Sequence, residues 1–490
     1  MPKKRLQKKT VRKTPKVPAA WFRDASGKLY SGFDNAGHFL FEHYDPTAPI
    51  AMKGKTFRLK SNPHVLQEDA FDIENIRIIN PERIREAVAQ LEKISEHEPE
   101  KELVCMITTG GTIATTYDEN GVAQSATSAE YLLKFAGSGL GHRFGVVTVP
   151  FHRLTPSSQM EIDYVADTVI AMTWIYTQLS YHTRSRFAGF IIAHGTDTLN
   201  ICATYAQIML GPNLPFSVAY VGAQKSITHK ITDVGINFAY SLNMLSEFKR
   251  NRKNTVFICS GGTQGGAFSP IGAIRISDTA VNIFDCPGRK KLMNASDFML
   301  SGITSQFLNE FQRTSTTDDV FQPIIFRGYT NVATIRGQVG VNPEELFQYV
   351  SHLDKVALVL VAYGSFSFNY QQIDAIMKAA EEKDILVFAA NQFPTGKFNH
   401  VFEETFYLTK KGVIPVQILE HAIYAKIRWA ECVYGEDRKK IKFFVAGNNF
   451  VGEQPDDWTP PLEVIEEAEK NDGLKMRIIG QPTESMEKLP

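Results

Sequence analysis

The 490-residue chain has no surplus of either charge: 53 Lys and Arg stand against 53 Asp and Glu, a formal net charge of +0 at pH 7 with histidine neutral. A balanced chain is not built, as a whole, to grip nucleic acid or an anionic membrane surface. Long hydrophobic runs are missing as well. The longest, Val356 to Ala362, is the size of a strand and far short of the roughly 18–20 residues of a membrane helix. Cysteine is sparse: Cys105, Cys202, Cys259, Cys286 and Cys432 lie far apart, with no CxxC pair. That spacing excludes a disulfide framework or a zinc site and suits buried thiols in a reducing compartment. The basic start MPKKRLQKKTVRKTPK has no apolar stretch behind it. No secretory leader is expected there, and a cytoplasmic protein is. Several chemical signatures are also absent. TTGGTIA contains neither GxxxxGKS/T nor GxGxxG, and the chain has no GxSxG, HExxH or EF-hand loop. P-loop phosphate binding, the serine-elbow hydrolases and the common metal sites are set aside on that ground.

What is present is enough to fold. The chain is 43% hydrophobic and 11% aromatic, ample for a sizeable core and too much for a wholly disordered protein. Residues 1–17 carry eight Lys or Arg and no acid, so residues 1–20 read as a basic disordered tail, either solvated or touching a polyanion. Residues 21–100 read as a small β-rich module with Ser-Gly and Asn-Ala-Gly turn signals, followed by an amphipathic helix with a charged end, PERIREAVAQLEKISEHEPEKE. From Leu103 the texture changes. The short apolar runs LVCMI, GVVTV, FAGFIIA, FSVAYV and TVFIC alternate with helical patterns at Ile162–His182, Asn200–Leu210 and Ile236–Phe248. After a polar stretch the pattern resumes with NVATIR, VALVLVA and DILVFAA, separated by helices near Glu344–Ser351 and Gln371–Glu382. Apolar strands with intervening helices indicate parallel sheets covered on both faces. The expected fold class is α/β, in two domains at 101–308 and 329–451 with mainly parallel sheets, a linker at 309–328 and a tail at 452–490.

In a parallel sheet, ligands bind beyond the carboxyl ends of the strands. Three such ends carry unusual residues. LVCMI runs into Thr108-Thr109-Gly110-Gly111-Thr112, FAGFIIA into His194-Gly195-Thr196-Asp197-Thr198, and TVFIC into Ser260-Gly261-Gly262-Thr263. A hydroxyl is a weak nucleophile and needs a base within hydrogen-bond reach, and Thr196 with Asp197 offers part of such a relay to a substrate at Thr112. On the residues alone, a Gly-Gly-Thr turn and a strand-end His194 also serve as plain turn or packing positions, so both readings stay open.

TTGGTIA, followed about 80 residues on by AHGTDTL, resembles the asparaginase/glutaminase family, which includes the related subunit of the archaeal glutamyl-tRNA amidotransferase. TPSSQM between them, VGAQK and TDVGINFAYSL after them, and NQFPTGKF near the end resemble further family segments in the same order. The resemblance runs roughly from Leu103 to Tyr434. It implies an asparaginase-like fold and a reaction that releases ammonia from the side-chain amide of L-asparagine, with L-glutamine as second candidate. It also implies Thr112 as nucleophile, Thr196 and Asp197 as second threonine and its aspartate, and Ser157 on the substrate's α-carboxylate. Asp197 would also hold the α-amino group, Gly111 and Ser158 would flank the substrate, and Gly195 and Ala223 would offer backbone contacts. The family's second set ends in a lysine, and the matching residue here is Arg275, with Lys225 and Lys230 as spatial substitutes. An arginine cannot act as a base. The family's loop tyrosine is replaced near Val122, with Tyr117 and Tyr131 as neighbours, and AYGSFSFN lacks the usual Gly-Asn. Two alternatives follow: a catalytically weak or inactive amino-acid-binding relative, or an ammonia-producing subunit of a tRNA-dependent amidotransferase. The resemblance further implies a homodimer or homotetramer, to which Glu403 and Glu404 are candidate contributors. It implies no metal or organic cofactor, no membrane, and nucleic acid only through the basic N-terminal arm.

Overall fold

The computed structural model describes residues 71–451 apart from 111–114, 118–122, 126–131, 133–136, 138, 154, 213, 226–228, 230–231, 263–264, 288–292, 295–322, 329–330, 395–402 and 448–449. It adds the backbone alone of residues 115–117, 123–125 and 293–294 and of the paired strands Phe22–Arg23 with Leu29–Tyr30 and Ile50–Met52 with Lys55–Phe57. Among the described residues no helix is long and apolar enough to cross a membrane.

Helix α1 (Pro81–His97) starts where Asn80 accepts the Glu82 N–H and a proline occupies its first turn. Its apolar side, Ile84, Ala87 and Leu91, is fully buried in the core that covers one face of the main sheet. That sheet has seven strands: β1 (Glu102–Thr108), β2 (Phe144–Pro150), β3 (Phe187–Ala193), β4 (Ser217–Val221), β5 (Val256–Ser260), β6 (Gly266–Phe268) and β7 (Met293–Asn294). Their order is β7-β6-β5-β4-β3-β1-β2, parallel from β2 to β5 and antiparallel at β6 and β7. Strand β1 shows why a continuous apolar run was needed: Leu103, Cys105 and Ile107 enter one core, Val104 and Met106 the opposite one. Each such side chain contributes about 1.5–3 kcal/mol by leaving water. Helices α2 (Ile162–Gln178) and α3 (Leu199–Leu210) pack on the first face, and α4 (Val234–Arg250) covers the second with Phe238, Leu242 and Leu245.

The second domain holds a four-stranded parallel sheet in chain order, β8 (Val332–Arg336), β9 (Ala357–Ala362), β10 (Leu386–Asn391) and β11 (Ile414–Pro415). Helix α5 (Tyr370–Glu382) covers one of its faces, and α6 (Glu420–Tyr434) joins its other face to the core of the first domain. A polar seam ties the parts together. Asp167, fully buried on α2, pairs with Arg327 and accepts the backbone N–H groups of Arg77 (2.8 Å) and Ile78 (3.3 Å). Arg428 of α6 donates to the Arg327 carbonyl at 2.7 Å. The α/β class with mainly parallel sheets is therefore as the sequence indicates.

Candidate active site

The strand order β2-β1-β3-β4-β5 reverses direction between β1 and β3, and a crevice opens at the carboxyl end of a parallel sheet where neighbouring connections leave on opposite sides. The candidate residues gather at that point. Thr109, just past β1, donates from its backbone N–H and its hydroxyl to the Ala193 carbonyl at the end of β3, at 3.0 and 3.1 Å. Gly110 then turns away at φ 114°, a conformation that favours glycine. Gly111 and Thr112, which follow, lie outside the described residues.

Beyond β2 the chain reaches Thr155, whose N–H bonds the Thr109 carbonyl at 3.1 Å, and then a short turn, Ser157–Gln159. Beyond β3 come His194, Gly195, Thr196 and Asp197. Ser157 and Asp197 meet across this gap. The Ser157 hydroxyl donates to Asp197 Oδ2 at 3.2 Å and accepts the Asp197 backbone N–H at 3.2 Å. Thr198 closes the same junction by donating to the Ser157 carbonyl at 2.7 Å. The approach is tight: a Cβ on Gly195 would stand 2.5 Å from Ser157 Oγ. Ser158 is exposed, and Ser157 rather than Ser158 bonds Asp197. Thr196 is buried, its methyl beside Gly222.

Arg275 arrives from a hairpin, Ile274–Arg275 paired with Phe284–Asp285, and its Nη1 pairs with Asp197 Oδ1 while its Nε donates to the Ser277 carbonyl at 3.1 Å. The position matched to the family's lysine therefore faces the aspartate matched to its partner. Lys225 makes no ion pair with Asp197 among the described residues; its backbone N–H is held by Asp233 at 3.0 Å. Lys230, Val122, Tyr131 and the side chain of Tyr117 lie outside the described residues. Ala223, buried after β4, sits in a loop held from below. Glu403 and Glu404 are exposed at the start of the helix Glu403–Lys410.

His194 is fully buried at the floor of the crevice. Its Nδ1 lies 2.6 Å from the Gly195 carbonyl, and burial pulls its pKa down to about 4, so the ring is neutral. A neutral ring donating to that carbonyl fixes the turn rather than supplying charge. Two further groups lie within TDVGINFAYSL, a segment to which the sequence assigns no site role. Asp233 and Asn237, at the start of α4, hold the Ala223 loop and the turn after β5 through backbone bonds. Their signal was an Asp and an Asn four apart, the spacing of neighbours on one helix face.

The crevice thus presents one carboxylate shared by a hydroxyl and a guanidinium, ringed by glycine backbone. Such a site suits a small zwitterion: an ammonium on the carboxylate and an anionic end on the hydroxyl and N–H donors. A family model described as "Asparaginase, N-terminal" matches residues 103–302, which span β1 to β7. Over that stretch the chain is similar to the asparaginase N-terminal domain. A glutamyl-tRNA(Gln) amidotransferase subunit of Pyrococcus furiosus is 25% identical over 394 residues, covering 78% of this chain and 84% of that protein. The corresponding subunit of Methanosphaera stadtmanae is 25% identical over 365 residues, covering 70% and 78%. In fold, the thermostable L-asparaginase from Thermococcus kodakarensis superposes with a TM-score of 0.54 at 20% identity, over 72% of this chain and 99% of its own. L-asparaginase I from Vibrio cholerae gives 0.55 at 18% identity, over 70% and 97%. The likeness to these two proteins is one of fold, over about 70% of this chain and nearly the whole of theirs.

Proposed function

We propose that the protein is an amidohydrolase of the asparaginase type that releases ammonia from the side-chain carboxamide of L-asparagine, with L-glutamine as the second candidate. The observation that carries the reading is the Ser157–Asp197–Arg275 junction at the strand ends where the connections leaving β1 and β3 part. In this reading Asp197 takes the α-ammonium, and the Ser157 hydroxyl with nearby N–H groups takes the α-carboxylate. The carboxamide lies against the Gly110 turn, where Thr112 attacks its carbon. Thr196 lies beside the Ala223 loop. Backbone N–H donors of the glycine turns stabilise the oxyanion, a contribution of about 3–4 kcal/mol per donor in other enzymes. Arg275 cannot give up its proton, so it holds Asp197 and polarises the second threonine without acting as a base.

The relatives named as subunits of a tRNA-dependent amidotransferase support a second reading, in which the same chemistry delivers ammonia to a partner. Ammonia release from L-asparagine and L-glutamine, compared between the wild type and Thr112→Ala, separates the outcomes. Turnover that vanishes in the variant is expected. Turnover unchanged by the substitution overturns the assignment of the nucleophile. No turnover on either amide by the protein alone, while L-aspartate still raises the melting temperature, points to a partner-dependent or inactive amino-acid-binding protein and sinks the hydrolase reading.

A further inference from the structure

The loop that carries Ala223 and the glycine turn after β5 are both tied to two residues at the start of α4, the loop being held also by Thr232, whose hydroxyl donates to the Lys225 carbonyl at 2.8 Å. The Asp233 carboxylate accepts three donors: the backbone N–H of Gln224 at 3.2 Å and of Lys225 at 3.0 Å, and the Asn237 Nδ2 at 2.9 Å. The Asn237 amide then reaches both strand ends at once. Its Nδ2 donates to the Gly222 carbonyl at 2.8 Å, past β4, and its Oδ1 accepts the Gly262 N–H at 2.9 Å, past β5. Only one orientation of the amide satisfies these partners, since two acceptors lie on one side and a donor on the other. Both residues are buried, at 3% and 2% exposure, so no water substitutes for either. The loop passes the restraint onward: the Gln224 side chain donates to the Asp278 carbonyl, in the hairpin that presents Arg275.

From this geometry we infer that Asn237, seated by Asp233, is a positioning residue that sets the Ala223 loop and the glycine turn after β5 relative to the reacting amide. The inference rests on the amidohydrolase reading for its rate consequence, but not for its structural one. Ser157 is bonded to Asp197 and Asp197 to Arg275, and among the described residues neither Ser157 nor Asp197 is bonded to this pair. Asn237 therefore governs alignment of the carboxamide and leaves capture of the α-groups alone. A displacement of about 1 Å at a reacting centre costs on the order of 100-fold in rate.

The test compares wild type with Asn237→Ala and with Gln224→Ala, which removes only an exposed tie. Steady-state ammonia release is measured together with the melting-temperature shift given by L-aspartate. The expected result is a fall in kcat of about 100-fold in Asn237→Ala with KM held within about threefold, a smaller fall of the same kind in Gln224→Ala, and an unchanged L-aspartate shift. A change confined to KM, or none, overturns the inference. Wild type inactive on both amides would refute the hydrolase reading instead. Hydrogen exchange then settles the structural part: faster exchange at the Gln224, Lys225 and Gly262 amides, with Tyr220 and Ile258 in the strands still protected, supports the positioning role. Unchanged exchange at those three amides overturns it. Where Asn237→Ala does not fold, the same two readouts on Gln224→Ala decide between these outcomes.

Discussion

At the scale of the residue, Arg275 decides the character of the site. Its guanidinium sits on Asp197 at the position where the resemblance to asparaginases places a lysine, and a lysine desolvated beside other charges loses its proton while an arginine keeps it. The ion pair itself survives the exchange, because Lys and Arg both donate to a carboxylate. What is lost is a base. Arg275→Lys is therefore expected to raise ammonia release about tenfold to a hundredfold and to add a limb to the pH profile on its alkaline side, both read from kcat between neutral and alkaline pH. A variant no faster than wild type, with the same profile, would mean that position 275 serves only to hold Asp197. That Ser157, Asp197 and Arg275 converge was legible in the sequence because each sits in a contiguous stretch, TPSSQM, AHGTDTL and GAIRIS. Asp233 and Asn237 lie in a quoted stretch too, TDVGINFAYSL, but their role was not legible, because apart from each other their partners are backbone atoms of residues that leave no side-chain signature.

At the scale of the element, the site depends on how closely the ends of β2 and β3 approach. Gly195 has no Cβ, and Ser157 fills that space; a methyl there would lie 2.5 Å from Ser157 Oγ and 2.7 Å from its Cβ. Gly195→Ala must push the Ser157–Gln159 turn away, breaking both bonds between Ser157 and Asp197. The expected outcome is a KM raised at least tenfold, loss of the L-aspartate-induced thermal shift, and a stability lowered by about 1–3 kcal/mol, the usual cost of overpacking. Retained L-aspartate binding would show that the turn gives way without disturbing the pocket. The strands and helices themselves were readable. FAGFIIA is β3 to the residue, and the helical patterns at Asn200–Leu210 and Gln371–Glu382 lie within helices that start one residue earlier. Periodicity also exposed the apolar side of α1, but a periodic face does not name its partner. That α1 packs on the main sheet follows from Ile79 bridging Phe151 and from Arg186 donating to the Ser95 carbonyl at 2.6 Å, contacts between segments far apart in the chain.

At the scale of the whole molecule, two histidines, His194 fully buried and His421 half-buried, couple its stability to pH. His194 lies under the crevice of the first domain. His421, on α6 of the second, is hydrogen-bonded to the Pro270 carbonyl in the turn that leads to Arg275, so it joins the two domains next to the site. Burial lowers each pKa from 6.5 to about 4. The folded state therefore holds both rings neutral while the unfolded chain protonates them near pH 6.5. Below that value the unfolded state binds more protons, so stability falls as pH drops through 6.5, and the loss levels off once the folded rings also titrate near pH 4. At pH 5 the linkage amounts to about 2 kcal/mol for each histidine. The carboxyls of Asp374 and Asp437, held below their ordinary value, act in a separate window under about pH 4. Denaturant midpoints measured from pH 7 to pH 5 should therefore decline, and His421→Gln should flatten that decline by about half whatever its effect on stability at pH 7. The slope is the readout, because a polar glutamine in a half-buried site shifts the absolute midpoint at every pH alike. A decline as steep in His421→Gln as in wild type would place the titration elsewhere and remove the junction between α6 and Pro270 as the point where acid loosens one domain from the other.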